Sequence, residues 1–443
     1  MRTRFIPLLF FLVQLGIAQE QQNSFSLDEA IIFALEHNYS AINANRDIVD
    51  AQKQKWETIA TGLPQLDGAV SYQNQLEQQV VQLPGEVAGG APGTFVPVVF
   101  GQPQQLSASA TLKQQIFDGS YIVGVQATKA FLSFSRNNKE KTDLEVRKAV
   151  VEAYGNVLLA KESVAILERN KATLDKNLFE TKKIFENGLG DEESVDQLKI
   201  TQASITNQLR NAKRLEKITL QMLNLVMGLS IDNATVLTED LDTLAEKQIT
   251  PAILDTDFKI ENNVDYKLAN NLNEQRYFEL KLAKSRALPT LNAFVNYGAL
   301  SFGDSFSFLD SGQQYFDFST FGVDLNIPIF SSLGRSASTQ RAKIALDKAK
   351  TQLTEAKEQI RLQLENAKSN YILAIEEYGT NKDNLTLAER IENKNQIKYA
   401  EGLATSFELR QAQTQLYTAQ QDYLQSMVNV INRKTALENV LNQ

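Results

Sequence analysis

The chain has 443 residues, a formal net charge of −8 at pH 7, one histidine and no cysteine. These values exclude disulfides and thiolate metal sites, argue against a transition-metal catalytic site, and argue against nucleic acid as a partner. No glycine-rich phosphate loop or nucleophile motif is recognisable. We therefore expect no cofactor and a protein that is not an enzyme.

The first 18 residues have the pattern of a secretory signal peptide. Arg2 and Arg4 give a basic start, the stretch Phe5 to Leu15 is mostly apolar, and Gly16-Ile17-Ala18 places small residues at the cleavage positions. The apolar run is too short to span a bilayer, which argues against an uncleaved anchor. We expect export and removal of residues 1–18.

The next segment is predicted to be a helix followed by two strands. Ser26 and Glu29 form the pattern of a capping box, and the predicted helix continues to about Ala60. Pro64 ends it, and the hydrophobic period then changes from 3.6 to 2. Strands of alternating polarity are predicted around residues 65–72 and 106–113. Residues 79–104 between them are rich in proline and glycine, which predicts a loop.

A very long helix is predicted between Phe117 and Gly188, because this stretch contains no proline. Seventy helical residues would extend about 105 Å. Gly188 is predicted to end this helix, and Ser194 to cap a returning one. The first structural repeat is therefore assigned to residues 19–228.

Residues 263–443 repeat the same order of elements, after an irregular connecting segment at residues 229–262. Asn38 to Tyr72 matches Asn263 to Tyr297 at a constant offset of 225 residues. A repeat of this length indicates a duplicated fold unit. Two more strands are predicted around residues 291–297 and 321–327, joined by a loop at 302–315. A second long helix follows from Phe330 to Gly402, with Ser406 predicted to cap its return helix.

The second long helix shows a coiled-coil pattern. Apolar residues alternate in steps of three and four, with a stutter between Ile360 and Leu364. The predicted stripe is Leu346, Ala349, Leu353, Ala356, Ile360, Leu364, Ala367, Tyr371, Ala374 and Tyr378. A fibrous coiled coil would show the same heptads.

Each predicted strand is about as long as a tilted membrane strand, although one strand alone fits the surface sheet of a soluble protein equally well. Four strands cannot close a membrane barrel, which needs about eight, and open edges are not tolerated in hydrocarbon. Two copies would give about eight strands and a filled interior, whereas three would give about twelve and a lumen. Aromatic residues beside the strands are typical of membrane-interface belts or of core anchors, and we favour belts; these are Tyr72, Phe117, Tyr297 and Phe330. The alternative is an exported structural or adaptor-like coiled-coil protein without a pore.

Taken together, these features resemble the TolC family of outer membrane efflux and secretion channels. The resemblance covers nearly the whole chain after the leader. It rests on Ser26-Leu27-Asp28-Glu29-Ala30, on Leu-Pro-x-Leu before the first strand of each half, and on Ile-Phe before each long helix. It also rests on two hairpin-tip patterns, Phe185-x-x-Gly188-Leu189 and Tyr399-x-x-Gly402-Leu403.

The resemblance implies a mainly α fold with membrane β structure. Each chain would give four strands to a trimeric twelve-stranded β-barrel, continued by a long coiled-coil α-helical barrel. It implies passive conduction of drugs, small molecules or proteins, including type I secretion, across the outer membrane of a Gram-negative-type cell. The implied partners are two further copies of the chain, outer membrane lipid, a periplasmic adaptor (membrane fusion) protein and an inner-membrane pump of RND or ABC type.

The resemblance also implies site residues at the periplasmic tips. The aperture positions are Asp196, Tyr399, Glu408 and Gln411, while the position of the relatives' arginine is occupied by Ala404. The predicted adaptor-contact residues are Gly188, Leu189, Ser194, Gly402, Leu403 and Ser406. Because acidic rings select cations, Glu408 is expected to raise cation preference.

Overall fold

The computed structural model describes residues 24–442, so the predicted leader at residues 1–18 lies outside the described residues. The first half contains β1 (Ser24–Phe25), α1 (Leu27–His37), α2 (Tyr39–Ala60), β2 (Gln65–Asn74), β3 (Val80–Pro84), α3 (Gly85–Ala88), β4 (Phe95–Val99), β5 (Gln104–Asp118), α4 (Gly119–Glu186) and α5 (Glu192–Met227). The second half contains α7 (Val264–Ser285), β7 (Thr290–Gly303), β8 (Phe316–Asn326), α8 (Gly334–Ala400) and α9 (Ser406–Leu441).

The segment between the halves is more regular than predicted. It contains β6 (Val236–Leu237), α6 (Leu241–Gln248) and two short 3-10 helices at Pro251–Asp255 and Ile260–Asn262. Strand β6 pairs in parallel with β1, which ties the segment to the start of the described chain. The division into units 19–228, 229–262 and 263–443 stays a prediction.

The first predicted helix is in fact two helices, because the backbone turns at Asn38. Asn38 has an extended conformation (ψ 136°) between α1 and α2. Its side-chain oxygen accepts hydrogen bonds from the next helix, and its amide donates to the carbonyl of Val226 at 2.7 Å. Asn263 caps α7 in the same way and donates to the carbonyl of Val440 at 2.9 Å. The duplication therefore includes the capping asparagine and its hydrogen bond to the end of the returning helix, which periodicity alone does not show.

Four strands form one antiparallel sheet in the order β2-β5-β7-β8. The register places Leu66, Leu112, Val295 and Phe321 in one row across all four strands. Leu66 and Phe321 are each 72% exposed. The predicted alternation is confirmed, and one face of the sheet presents unburied apolar side chains. Strands β2 and β8 lie at the two edges of this sheet.

Residues 79–104 are not simply a loop, contrary to the prediction. Strands β3 and β4 form an antiparallel hairpin in which Val80 pairs with Val99 and Val81 with Val98. Valine favours extended backbone, and this preference outweighs the proline and glycine content of the segment. The prolines within the hairpin, Pro84 and Pro97, lie in a two-stranded ribbon where a missing N–H is tolerated.

The two long helices are 68 and 67 residues long, close to the predicted length. Helix α4 packs against α5, and α8 packs against α9. The predicted heptad stripe of α8 is confirmed at its buried positions, which are Leu346, Ala349, Ile360, Leu364, Tyr371, Ala374 and Tyr378. The main core lies where α1, α4, α6 and α9 meet, and it contains Phe25, Tyr154, Leu244 and Met427.

Among the helices of residues 24–442, none combines the length and the apolar character needed to cross a bilayer.

Candidate functional site

The ends of the long helices are two matching hairpin tips. Gly188 and Gly402 both have φ of 74°, a left-handed conformation that glycine adopts without steric penalty. The N–H of Leu189 donates to the carbonyl of Ile184, and that of Leu403 donates to Lys398, which completes a Schellman motif in each tip. Leu189 and Leu403 are 83% and 73% exposed. Each tip therefore presents a leucine side chain on a rigid turn.

The returning helices begin earlier than predicted. The N-cap of α5 is Asp191, whose side chain accepts a hydrogen bond from the N–H of Ser194 at 2.6 Å. The N-cap of α9 is Thr405, which forms a capping box with Glu408. The prediction that Ser194 and Ser406 are the caps is wrong, because both lie within the first helical turn.

Instead of capping, the two serines join the tips. The hydroxyl of Ser194 lies 2.9 Å from that of Ser406. A second hydroxyl pair links the same hairpins, since Thr181 on α4 lies 2.8 Å from the hydroxyl of Tyr399 on α8. Between the tips is a groove of about 550 Å³, and Ala404 is among its lining residues. The two hairpins are thus held together by neutral hydrogen bonds.

The predicted acidic residues of the aperture are not part of this link. Asp196 pairs with Lys199 at 2.9 Å. Glu408 accepts hydrogen bonds from the backbone N–H and the hydroxyl of Thr405, at 2.8 and 3.0 Å. Gln411 is exposed on the next turn of α9. The structure therefore brings together Ser194, Ser406 and Tyr399 but leaves Asp196, Glu408 and Gln411 apart from them.

Each tip carries a carboxylate whose pKa is lowered by hydrogen bonds at the start of a helix. The hydrogen bond from the backbone of Thr405 lowers the pKa of Glu408, and the hydroxyl of Thr405 contributes further. The hydrogen bond from the backbone of Ser194 lowers the pKa of Asp191 in the same way. In both cases a backbone N–H at a helix start stabilises the negative charge.

Sequence reasoning missed Thr181, Asp191 and Thr405. A signal existed for Thr405, because Thr405-Ser406-Phe407-Glu408 is itself a capping-box pattern. No local pattern marks Thr181, whose role depends on the contact of its hydroxyl with that of Tyr399, far away in sequence on α8. Within residues 24–442, no cluster of histidine, aspartate and glutamate is arranged to hold a metal ion.

Comparison with known sequences points to one family. The sequence model of the family described as "Outer membrane efflux protein" matches residues 267–443. The chain is 23% identical over 330 residues to the alkaline protease secretion protein AprF of Pseudomonas aeruginosa, covering 70% of this chain and 64% of AprF. It is 25% identical over 263 residues to the outer membrane protein TolC of Vibrio cholerae, covering 57% of each. The matches therefore span less than two thirds of these curated relatives.

Solved structures share the fold over almost the whole chain. The outer membrane protein VceC of Vibrio cholerae is 17% identical with a TM-score of 0.71, and the match covers 94% of this chain and 96% of VceC. The Campylobacter jejuni outer membrane channel CmeC is 16% identical with a TM-score of 0.73, covering 94% and 85%. The open MtrE channel of Neisseria gonorrhoeae is 17% identical with a TM-score of 0.71, covering 94% and 88%. The predicted fold class is confirmed. The family whose model matches and TolC are outer membrane proteins, in agreement with the predicted localisation, and the chain is similar to outer membrane efflux proteins of the TolC type.

Proposed function

We propose that the protein is an outer membrane channel-tunnel that passively conducts exported compounds from the periplasm to the outside. The observation that carries this proposal is the direct continuation of strand into helix. Strand β5 ends at Asp118 and α4 begins at Gly119, with the carboxylate of Asp118 accepting hydrogen bonds from Ser120 and Tyr121. A sheet with an exposed apolar face therefore leads without a loop into a helix about 100 Å long.

A pore requires several copies of the chain. The sheet has one edge at β2 and the other at β8. The helices also give the protomer two different flanks, since α4 contacts α2, α5, α7 and α9, whereas α8 contacts α7 and α9. One side of each protomer thus consists of β2, α2 and α5, and the other of β8 and α8. Such unlike flanks fit a head-to-tail ring.

Exposed apolar side chains on both flanks support this ring. Helix α5 presents Leu215, Ile218, Met222 and Leu225, spaced by three and four residues, and all are at least half exposed. Helix α8 presents Leu362, Leu373, Leu387 and Ile397 among its exposed residues. Three copies supply about twelve strands, enough for a barrel with a lumen. The protein is therefore a homotrimer, with its apolar sheet face towards outer membrane lipid.

The tips form the periplasmic end of this trimer and its docking surface. Gly188, Leu189, Ser194, Gly402, Leu403 and Ser406 are the contact residues for a periplasmic adaptor (membrane fusion) protein. Exposed leucines on rigid turns suit this role because they lose little conformational entropy on binding. An inner-membrane pump of RND or ABC type supplies the energy. AprF is named for secretion of an alkaline protease, so protein export belongs with small-molecule efflux among the candidate functions.

The aperture closes mainly through neutral contacts in this chain. Tyr399 contributes its hydroxyl, Asp196 and Glu408 line the opening and determine its charge, and Gln411 lines it as a neutral side chain. Ala404 occupies the position where relatives have an arginine, so ion pairs contribute less to closing the aperture here. The alternative, an exported coiled coil without a pore, does not account for the exposed apolar rows of β2 and β8.

The experiment is reconstitution of the detergent-purified protein into planar bilayers, together with chemical cross-linking. Discrete conductance steps and a cross-linked trimer are expected. A protein that forms no pore, or that urea extracts from the cell envelope without detergent, would instead be the coiled-coil alternative.

A further inference from the structure

The polar face of the sheet carries two aromatic rings that alternation did not reveal. Phe294 on β7 pairs with Gly322 on β8, and Phe318 on β8 pairs with Gly298 on β7. A Cβ at Gly322 would lie 2.4 Å from Cζ of Phe294, and one at Gly298 would lie 2.6 Å from Cζ of Phe318. Each ring therefore lies across the glycine of the neighbouring strand, where no larger residue fits.

The same face contains polar residues around Phe294. Residues two apart on a strand share a face, so Asn292 and Asn296 lie beside Phe294, and Asp324 lies beside Gly322. These side chains line a cleft of about 510 Å³ near the start of the long helices, together with Gln65 and Thr111. A cleft of this volume suits a small organic molecule.

The strand region is strongly acidic. Residues 61–118 and 287–334 contain four acidic residues each, while Lys113 is their one basic residue. Lys113 also lines the cleft and is the cross-strand neighbour of Phe294, but it lies 3.3 Å from Asp67, whose carboxylate offsets its charge. Asp324 forms no ion pair with any residue in the part of the chain that the structure describes. The cleft therefore combines an open aromatic ring with an uncompensated carboxylate.

We propose that this cleft binds organic cations with an aromatic or apolar body as they pass through the channel. This inference rests on the proposed function, because the face lines a pore only in the ring of copies. The face of an aromatic ring attracts a cation through its quadrupole, and Asp324 adds a Coulomb attraction. Asn292 and Asn296 can accept or donate hydrogen bonds to polar groups on the same solute.

The test is block of potassium current through reconstituted channels by two probes, benzyltrimethylammonium and tetramethylammonium. The aromatic probe should block at lower concentration. In Phe294→Leu, or in Asp324→Asn, the half-blocking concentration of benzyltrimethylammonium should rise by about two- to fivefold. Phe321→Leu is the matched control, because Phe321 lies on the opposite face of β8 and should leave block unchanged.

The outcomes separate this inference from the function it rests on. A wild-type protein that forms no pore contradicts the proposed function itself. Pores that both probes block equally, or variants that keep wild-type block, overturn only the cation site. If Phe294→Leu does not assemble as a cross-linked trimer, Asp324→Asn gives the same measurement without changing Phe294.

Discussion

The side-chain amide of Asn170 donates a hydrogen bond to Oε1 of Gln420, at 2.8 Å, across the packed helices α4 and α9. One heptad further towards the tips, Asn177 and Gln413 are also buried, and Gln413 is only 1% exposed. The amide nitrogen of Asn177 makes no hydrogen bond with the described residues, and the amide of Gln413 lies beside the carboxylate of Glu392. Buried amides in coiled coils fix helix register at a cost in stability. We infer that this polar ladder sets the register of the two hairpins.

The first prediction follows from the paired amide. Asn170→Ala leaves Gln420 without its partner, so the free energy of unfolding should fall by about 1–3 kcal/mol. Replacing both residues with leucine should cost less than the single change, because no unpaired polar group remains. Urea denaturation of the purified protein measures both effects. Equal losses in the single and the double variant would show that the hydrogen bond contributes nothing.

Glu408 provides a pH-dependent prediction. Its folded-state pKa is lowered by the backbone N–H of Thr405, so the cap stabilises α9 above the pKa of the unfolded chain. That stabilisation is lost as pH falls through the lowered folded-state value. The protection factors of the amides at the start of α9, which correct exchange for its intrinsic dependence on pH, should therefore fall below about pH 4.5, the ordinary value for glutamate. In Glu408→Ala, exchange should be fast at neutral pH as well, and a wild-type exchange profile would argue against the cap.

The substitution Glu408→Gln separates the expected effect of Glu408 on ion selectivity from its effect as a helix cap. Glutamine keeps an acceptor for the Thr405 N–H but removes the charge, so α9 should remain ordered while cation preference falls by about twofold. Reversal potentials in asymmetric potassium chloride measure this change. Unchanged ion selectivity in Glu408→Gln would mean that the carboxylate acts only as a helix cap.

Patterns that repeat over many residues made much of this fold predictable. The positions of single helix breaks and of contacts between distant residues were harder to derive from the sequence. The α8 stripe from Leu346 to Tyr378 and the alternating row containing Val295 follow from patterns repeated over many residues. The break at Asn38 does not, because its position depends on the carbonyl of Val226, far away in sequence. The site shows the same limit. The glycines of the tips were identified from their sequence, but the Thr181–Tyr399 contact exists only once two helices are packed.

The sequence did not reveal the two aromatic rings of the polar face for a different reason. Phe294 and Phe318 occupy polar-face positions, so an alternating pattern assigns them the wrong environment. Their partners explain the exception, since Gly322 and Gly298 leave room for a ring on the neighbouring strand. Pairing registers, which the sequence does not specify, would be needed to recognise this arrangement.

Removing the Tyr399 hydroxyl should loosen the tips. Tyr399→Phe deletes the 2.8 Å contact with Thr181 but keeps the ring, which should cost about 1 kcal/mol of closed-state stability. In single-channel recordings we expect more frequent or larger openings. The open probability should be about fivefold higher. Tyr378→Phe is the control, because the hydroxyl of Tyr378 faces Tyr423 within the helical bundle, away from the tips. Identical recordings for both variants would remove Tyr399 from the aperture.

The lipid-facing assignment can be tested by two adjacent residues of β8. Phe321 lies in the apolar row with Leu66, whereas Thr320 pairs with Asn296 on the polar face. An arginine on the lipid face of a membrane strand costs about 2–4 kcal/mol near the bilayer midplane, but one facing a watery lumen costs little. Phe321→Arg should therefore reduce the amount of folded trimer in the outer membrane and its resistance to urea. Thr320→Arg should assemble normally and reduce cation conductance, because it places positive charge in the pore. If the two variants assemble equally well, the row of Leu66 and Phe321 does not face lipid, and the sheet is better explained as the surface of a water-exposed domain.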